Sequence, residues 1–347
     1  MKMTPNRKSK ERQDFYDEIL QYSMTPLWEV FHSLVTNEPD TPIVPVRWRY
    51  NEVRPYLMRS GELISAEEAE RRVLVLENPG LPGQSSTTRT LYAGLQLIMP
   101  GEIAQCHRHT QCALRFIIEG DGAYTSVEGE RAVMSEWDLV LTPSWKWHDH
   151  GNESDHPMVW LDGLDIPTIR FFDAGFAEKS RDRLQQVLRP PGDSLARYGA
   201  NMLPVGFTSR GSSPVFHYPY SEYREALSKM SRNNEWDPHL GLKMEFINPE
   251  DGGPVMPTIA AFVQMLPKGF STPGYRTTEG MVITVVEGAG RVNLGNQSFD
   301  LKPRDIYVVP SWCVHTYTAT EDMLLFIISD RGMQSRLGIW REKRDAA

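Results

Sequence analysis

One pattern constrains the fold of this chain more than any other: the chain repeats itself. Pro143-Ser-Trp-Lys-Trp-His148 recurs as Pro310-Ser-Trp-Cys-Val-His315, at an offset of 167 residues. Glu119-Gly-Asp-Gly122 recurs as Glu287-Gly-Ala-Gly290, and Gly101 as Gly269, both at an offset of 168. Collinear matches with a single slipped residue predict an internal duplication, each copy about 75–80 residues long. That period is too long for a solenoid, so it predicts two homologous domains. A chain of 347 residues has room for both.

The texture around the repeats predicts what the copies are. From residue 91 to about 168, short apolar runs alternate with Gly, Pro and Asp punctuation, and the same texture returns near 258. Regularly spaced short strands predict a sandwich or barrel. Glu128-Gly129 reads as a hairpin turn. Helical spacing is expected over 14–22, 27–35, 66–72 and 221–230, with irregular backbone at 42–45 and 78–83. The expected division is a helical arm over 1–90, a first β domain over 91–168, a linker region with helices over 169–254, and a second β domain with a short tail over 255–347.

Composition removes several functions. A net charge of −8 and a pI near 5.7 argue against a broad cationic face for nucleic acid. The richest apolar run, 323–328, suits one strand and is far below the ~18–20 residues of a membrane helix. Basic residues near the start are followed by no apolar stretch, so a secretory leader is not expected and the cytoplasm is. Three cysteines cannot complete a disulfide framework.

The chemistry concentrates in histidines. His107-x-His109 on a strand puts both imidazoles on one face, and Gln111, Ala113 and Arg115 share it if the strand continues. His148-x-His150 repeats the arrangement. A cavity receiving His107, His109 and His148 would offer three neutral nitrogen donors to one divalent metal, and imidazole suits Fe, Zn, Cu and Ni. A lone histidine is more often packing than a ligand. Here the spacing is tied to Gly101, Gly120 and Pro143, in an order that resembles the two cupin motifs. Ala113 stands where cupins commonly place a fourth, glutamate ligand, and Trp137 and Trp145 stand where glycines are common. Three neutral ligands leave a divalent ion its full charge and open positions for a chelating anion. A cysteine-rich zinc site is the competing reading, but Cys106 and Cys112 fall on the opposite parity and lack C-x-x-C spacing. In the second copy Tyr275 and Thr277 replace the histidine pair, Met281 replaces Ala113, and only His315 remains. That copy is expected to serve as scaffold.

Three strings carry a more specific likeness: 101–116 with its Cys-His-Arg-His core, Trp147-His-Asp-His-Gly151 and Trp160-Leu-Asp-Gly-Leu-Asp165. They resemble the gentisate 1,2-dioxygenase family, which includes salicylate, substituted-salicylate and 1-hydroxy-2-naphthoate dioxygenases. The resemblance covers most of the chain and implies a mainly β bicupin: two tandem double-stranded β-helix (jelly-roll) domains behind an N-terminal helical arm. It implies an Fe(II)-dependent, extradiol-type dioxygenase that splits a 2-hydroxybenzoate between its carboxyl- and hydroxyl-bearing carbons, consuming O2. Gentisate, giving maleylpyruvate, is the leading substrate. Salicylate, 5-nitrosalicylate or 1-hydroxy-2-naphthoate are the runners-up. A cytoplasmic homotetramer with no nucleic-acid or membrane partner is implied as well.

Residue by residue, the likeness implies His107, His109 and His148 as iron ligands and Arg115 as the partner of the substrate carboxylate. His150 and Gln111 are placed toward the substrate or bound oxygen. Asp162 is placed to orient a histidine or arginine. Tyr92 and Gly94 are expected to line the substrate pocket, with Arg71 or Arg72 reaching it from the arm. Two readings of another class remain: an oxygen-independent metal cupin, such as an isomerase or hydrolase, and a non-enzymatic ligand-binding cupin.

Overall fold

The computed structural model describes residues 7–209 and 211–346, in two units, 7–40 and 41–346. The smaller unit is a helical pair, Arg7–Leu20 and Leu27–Leu34. It is held by Tyr16, whose hydroxyl accepts from Trp28 Nε1 at 2.8 Å and donates to Glu29. Leu27, Trp28, Phe31 and Leu34 are left exposed in an amphipathic stripe.

The larger unit is the duplication made visible. Each copy pairs a six-stranded with a five-stranded antiparallel sheet. In the first, the six-stranded sheet runs 217–218, 139–142, 113–119, 158–164, 92–98, 73–75. In the second it runs 46–48, 306–309, 281–287, 323–329, 260–266, 242–245. The five-stranded sheets correspond likewise, 177–179, 103–109, 148–152, 123–127, 130–133 against 342–344, 275–277, 315–319, 290–294, 297–301. The expected mainly β bicupin is therefore observed.

The chain crosses between copies at the edges. Val46–Trp48, which precedes the first copy, pairs with Ile306–Val309 of the second. The 1–90 stretch thus supplies the separate helical pair, this edge strand, the helix Tyr50–Leu63, and Val73–Val75 on the first barrel. The 169–254 stretch supplies His217–Tyr218 to the first barrel and Leu242–Glu245 to the second. Helix 50–63 contains Pro55 and lacks a clean apolar period, so spacing alone did not mark it. The helix expected over 66–72 is a single turn, Ala66–Ala69, capped by the Ser65 side chain and ended by Glu70 at φ 53°. The turn at Glu128-Gly129 is observed, with both residues at positive φ as a type I′ hairpin requires.

The two six-stranded sheets face each other. Leu95, Leu97, Leu114, Phe116, Val159 and Leu161 pack on Val263, Val282, Phe326 and Ile328, and the Phe116 and Phe326 rings stack 3.8 Å apart. Alternate residues of the same strands point into the barrels. Both faces are buried, which is why these strands read as nearly continuous apolar runs. Trp137 and Trp145, at the positions where cupins favour glycine, adopt φ 70° and 62°. Their counterparts Arg304 and Trp312 do the same at 71° and 60°. The turns demand left-handed backbone, at a cost of about 1–2 kcal/mol for a residue with a Cβ. At Trp145 that cost is offset by stacking: the Arg108 guanidinium lies 4.4 Å from its ring and 4.6 Å from that of Trp147.

Candidate metal centre

The three histidines converge because two adjacent strands carry them. His107 lies directly opposite His148 across the pair formed by Ile103–His109 and His148–Asn152, and His109 follows on the same face. Their ring centroids are 4.1, 4.8 and 5.4 Å apart. One nitrogen from each lies within 4.8 Å of the other two, and no other such cluster occurs among the described residues.

The tautomers are set by backbone carbonyls. Nδ1 of His107 meets Gln105 O at 3.1 Å, Nδ1 of His109 meets Gln111 O at 2.9 Å, and Nδ1 of His148 meets Lys146 O at 2.8 Å. At His109 and His148, Nδ1 therefore carries the proton and Nε2 keeps its lone pair, the form a metal takes, whereas at His107 the Arg71 guanidinium also lies 2.7 Å from Nδ1. His148 Nε2 is buried without a partner. Burial, then neighbouring cations, pushes His107 down to about 2. Burial is also the leading cause that takes His109 to about 4 and His148 well below the usual imidazole range. All three are neutral at pH 7. An unpaired, inward, neutral Nε2 fits a metal ion, and Ala113 contributes no competing carboxylate.

The sequence-predicted partners are distributed unevenly. The strand bearing His107 and His109 ends at His109, and Ala113–Glu119 belongs to the other sheet. The continuous face expected through Gln111 is therefore broken by a turn. Gln111 sits in that turn with its amide beside Gly175, and its backbone carbonyl orients His109. Arg115, 4% exposed, returns to the barrel interior from the facing sheet. Its Nε lies 3.5 Å from Asp162 Oδ1 and its Nη1 donates to Thr142 Oγ1 at 3.2 Å. Asp162 also accepts from Trp160 Nε1 at 3.0 Å. Burial outweighs pairing on both sides, lowering Arg115 to about 10 and raising Asp162 to about 6. Both are still charged at neutral pH. His150, fully buried, is fixed through Nδ1 to Thr125 Oγ1 at 2.9 Å, while its Nε2 has no partner.

The two arginines near 71 separate cleanly. Arg71 reaches the centre, with Nη2 2.6 Å from His107 Nε2. It lines a cavity of about 480 Å³ shared with Gln105, His107, Lys179 and Arg183. Arg72 turns away into a two-pronged pair with Glu102, at 2.9 and 2.8 Å, and into Ile64 O. Tyr92 and Gly94 lie on one face of strand 92–98, with Gly94 opposite Asp162. A Cβ on Gly94 would come within 2.5 Å of Val73 Cγ1 and 3.0 Å of the Tyr92 hydroxyl, so only glycine fits beneath that tyrosine.

One further group shares this face. Gln96 is 2% exposed and its Oε1 is buried without a partner. Period two from Tyr92 and Gly94 points to it directly, a signal that sequence reasoning passed over. Thr125 and Trp160, which hold His150 and Asp162, carried no such signal. Two guanidinium cations, one carboxylate and neutral imidazoles leave the centre net positive, which suits an anionic ligand.

Known proteins share this architecture. The cupin domain profile matches residues 94–164 and 261–329. The chain is 53% identical over 338 residues to gentisate 1,2 dioxygenase 1 of Aquipseudomonas alcaligenes, covering 97% of each. It is 35% identical to 5-aminosalicylate 1,2-dioxygenase of a Comamonas species, covering 96% of this chain and 90% of that one. The crystal structure of salicylate 1,2-dioxygenase from Pseudaminobacter salicylatoxidans superposes with a TM-score of 0.90 at 33% identity, covering 99% of both chains. A variant of that enzyme solved in complex with gentisate superposes with a TM-score of 0.91 at 32% identity, covering 100% of this chain and 97% of that one.

Proposed function

The chain belongs to the gentisate 1,2-dioxygenase family of bicupin enzymes, and from that premise we propose that it opens the ring of gentisate between the carboxyl- and hydroxyl-bearing carbons, with both atoms of O2 inserted. The observation that carries this reading is the meeting of one ring nitrogen each from His107, His109 and His148 with the buried Arg115–Asp162 pair in one barrel. Fe(II) is the ion proposed for His107, His109 and His148. When bound, it supplies the positive charge that draws in a chelating hydroxy acid and the electrons that activate O2.

The remaining work falls to side chains. Arg115 and Arg71 take the substrate carboxylate, since a guanidinium fork matches its two oxygens. Asp162 holds Arg115 in place and tempers the site's charge. His150 presents Nε2 to the substrate or oxygen and moves a proton there as the ring opens. Tyr92, packed over Gly94, shapes the pocket wall, and Gln111 acts through the carbonyl that orients His109. A cytoplasmic homo-oligomer, four subunits by family likeness, completes the reading. The exposed apolar stripe on Leu27–Leu34 supports self-association. No helix of the described residues is long and apolar enough to cross a membrane.

Gentisate is favoured over salicylates because one gentisate 1,2-dioxygenase shares 53% of its sequence with the chain, whereas the aminosalicylate and salicylate enzymes share 35% and 33%, as do other gentisate dioxygenases at 35% and 32%. Steady-state kinetics with gentisate, salicylate, 5-aminosalicylate and 1-hydroxy-2-naphthoate test the choice. The highest kcat/KM is expected for gentisate; a higher value for any other acid replaces it as the substrate.

A further inference from the structure

The cavity of about 480 Å³ that reaches Arg71 and His107 is the way into the metal centre from the surface, and its volume admits a single-ring acid. Two segments build its outer wall. One is the helical turn Ala66–Ala69 with Glu70 after it; the other is the strand Ala177–Lys179, continued to Arg183. Every charged side chain on that outer wall, Glu67, Glu70, Glu178, Lys179 and Arg183, is exposed.

Register decides which of these charges face the metal centre. Strand 177–179 pairs with strand 103–109, with Ala177 opposite His109, Glu178 opposite Arg108 and Lys179 opposite His107. Directly opposed side chains project to the same face of a sheet. Lys179 therefore leaves the sheet on the side of the histidines. Glu178 leaves it on the other side, where its Oε2 accepts from Arg108 at 2.6 and 2.9 Å. Lys179 Nζ reaches across the mouth and donates to Glu70 Oε1 at 2.7 Å. That pair is 65% and 62% exposed, so water weakens it and a second anion can compete for the ammonium. The Arg183 guanidinium has no hydrogen-bond or ion-pair partner among the described residues; only its backbone carbonyl is used, by the Cys106 N–H at 2.9 Å. Arg108 cancels Glu178 and Lys179 cancels Glu70, which leaves Arg71 and Arg183 against Glu67. The innermost of these charges is the Arg71 cation, 2.6 Å from His107.

We propose that Lys179 and Arg183 capture the hydroxybenzoate anion at the mouth of the first barrel and pass it inward to Arg71, with Glu70 competing for the Lys179 ammonium. This role rests on the ring-cleavage reading of the first barrel, whose substrate is an anion. Charges placed at a mouth act on the rate of association, and salt screens them.

Stopped-flow binding of gentisate to the Fe(II)-loaded chain tests this under anaerobic conditions, where binding is read apart from turnover. Association is followed by tryptophan fluorescence at about 20 mM and about 500 mM salt. Lys179→Gln and Arg183→Gln should each slow association about threefold at low salt, and together about tenfold, with dissociation changed far less. Glu70→Gln should instead speed it about twofold. The wild type should slow at high salt, and the Lys179→Gln/Arg183→Gln variant much less. A Glu70–Lys179 pair that only braced the wall would shift both of its single variants in the same direction, so a shared sign overturns the proposal. Association that ignores the substitutions overturns it too, and alone. A wild-type chain that binds neither gentisate nor a salicylate overturns the ring-cleavage reading together with this role.

Discussion

Arg115 and Asp162 stand directly opposite one another across the paired strands 113–119 and 158–164, and the same two positions in the second barrel are Ile283 and Ile327, also directly opposed. One backbone frame therefore accepts either a buried ion pair or an apolar pair. Burying two charges is costly, so the first barrel keeps them for function rather than stability.

This makes the pair separable from the fold. Arg115→Ile alone strands a buried carboxylate, and Asp162→Ile alone strands a buried guanidinium. Each should lower the thermal midpoint, by roughly 3–5 kcal/mol of stability. The double variant, copying the second barrel, should recover most of that loss while kcat/KM for the substrate stays down by about a hundredfold or more. Thermal unfolding and kinetics on the three variants check it; additive destabilisation would contradict the account.

Adjacent arginines should behave as opposites. Arg72 is tied to Glu102 and to a backbone carbonyl, so Arg72→Ala should destabilise by about 2–4 kcal/mol. Arg71 faces the centre, so Arg71→Ala should leave unfolding nearly unchanged and raise KM about tenfold or more. Equal effects on stability would remove Arg71 from the site.

Gln96 makes a third case. Its unpaired Oε1 is a stability defect that faces the pocket. Gln96→Leu should leave stability equal or improved and reduce kcat/KM about tenfold or more. Unfolding and kinetics measured together separate this from a packing role, which would lower stability first.

Much of this was legible in the sequence, for a physical reason. The Pro-Ser-Trp-x-x-His repeat, the glycines and the two His-x-His pairs encode turn and face directly, so the two barrels and the meeting of His107, His109 and His148 follow from spacing. What spacing cannot report is the end of a strand. The turn after His109 moved Gln111 off the expected face, while Arg115 reached the centre from the other sheet. Nor can it choose between Arg71 and Arg72, because Glu70, at a positive φ of 53° just before them, resets the facing. The edge strand Val46–Trp48 was hidden for a similar reason: three residues carry no period, and their partner lies more than 250 residues away.

Acid should destabilise the metal-free chain. His107, His109, His148, His150 and His315 all have folded pKa values lowered by burial, so between pH 6.5 and 6 the unfolded state binds more protons than the native one. Stability therefore falls as pH falls, by roughly 0.8 kcal/mol per imidazole at pH 6. His156, raised by Asp155, works the other way but is single and exposed. The raised Asp162, Asp165 and Asp330, half-protonated near pH 6 in the folded chain, oppose the trend from about pH 7 downward, but they are three against five imidazoles and contribute less each at pH 6. The thermal midpoint should drop between pH 7.5 and 6; a flat or rising midpoint would show that the imidazoles are not held neutral.

The central claim is that the first barrel, through three histidines and one metal, cleaves a hydroxybenzoate with O2. Oxygen uptake by the Fe(II)-loaded chain with gentisate, followed together with ring-opened product absorbance, tests it most directly. The account predicts one O2 consumed per gentisate, with uptake abolished in His109→Ala. Bound iron with no uptake for gentisate or any of the salicylates, or uptake that survives loss of His109, would contradict it.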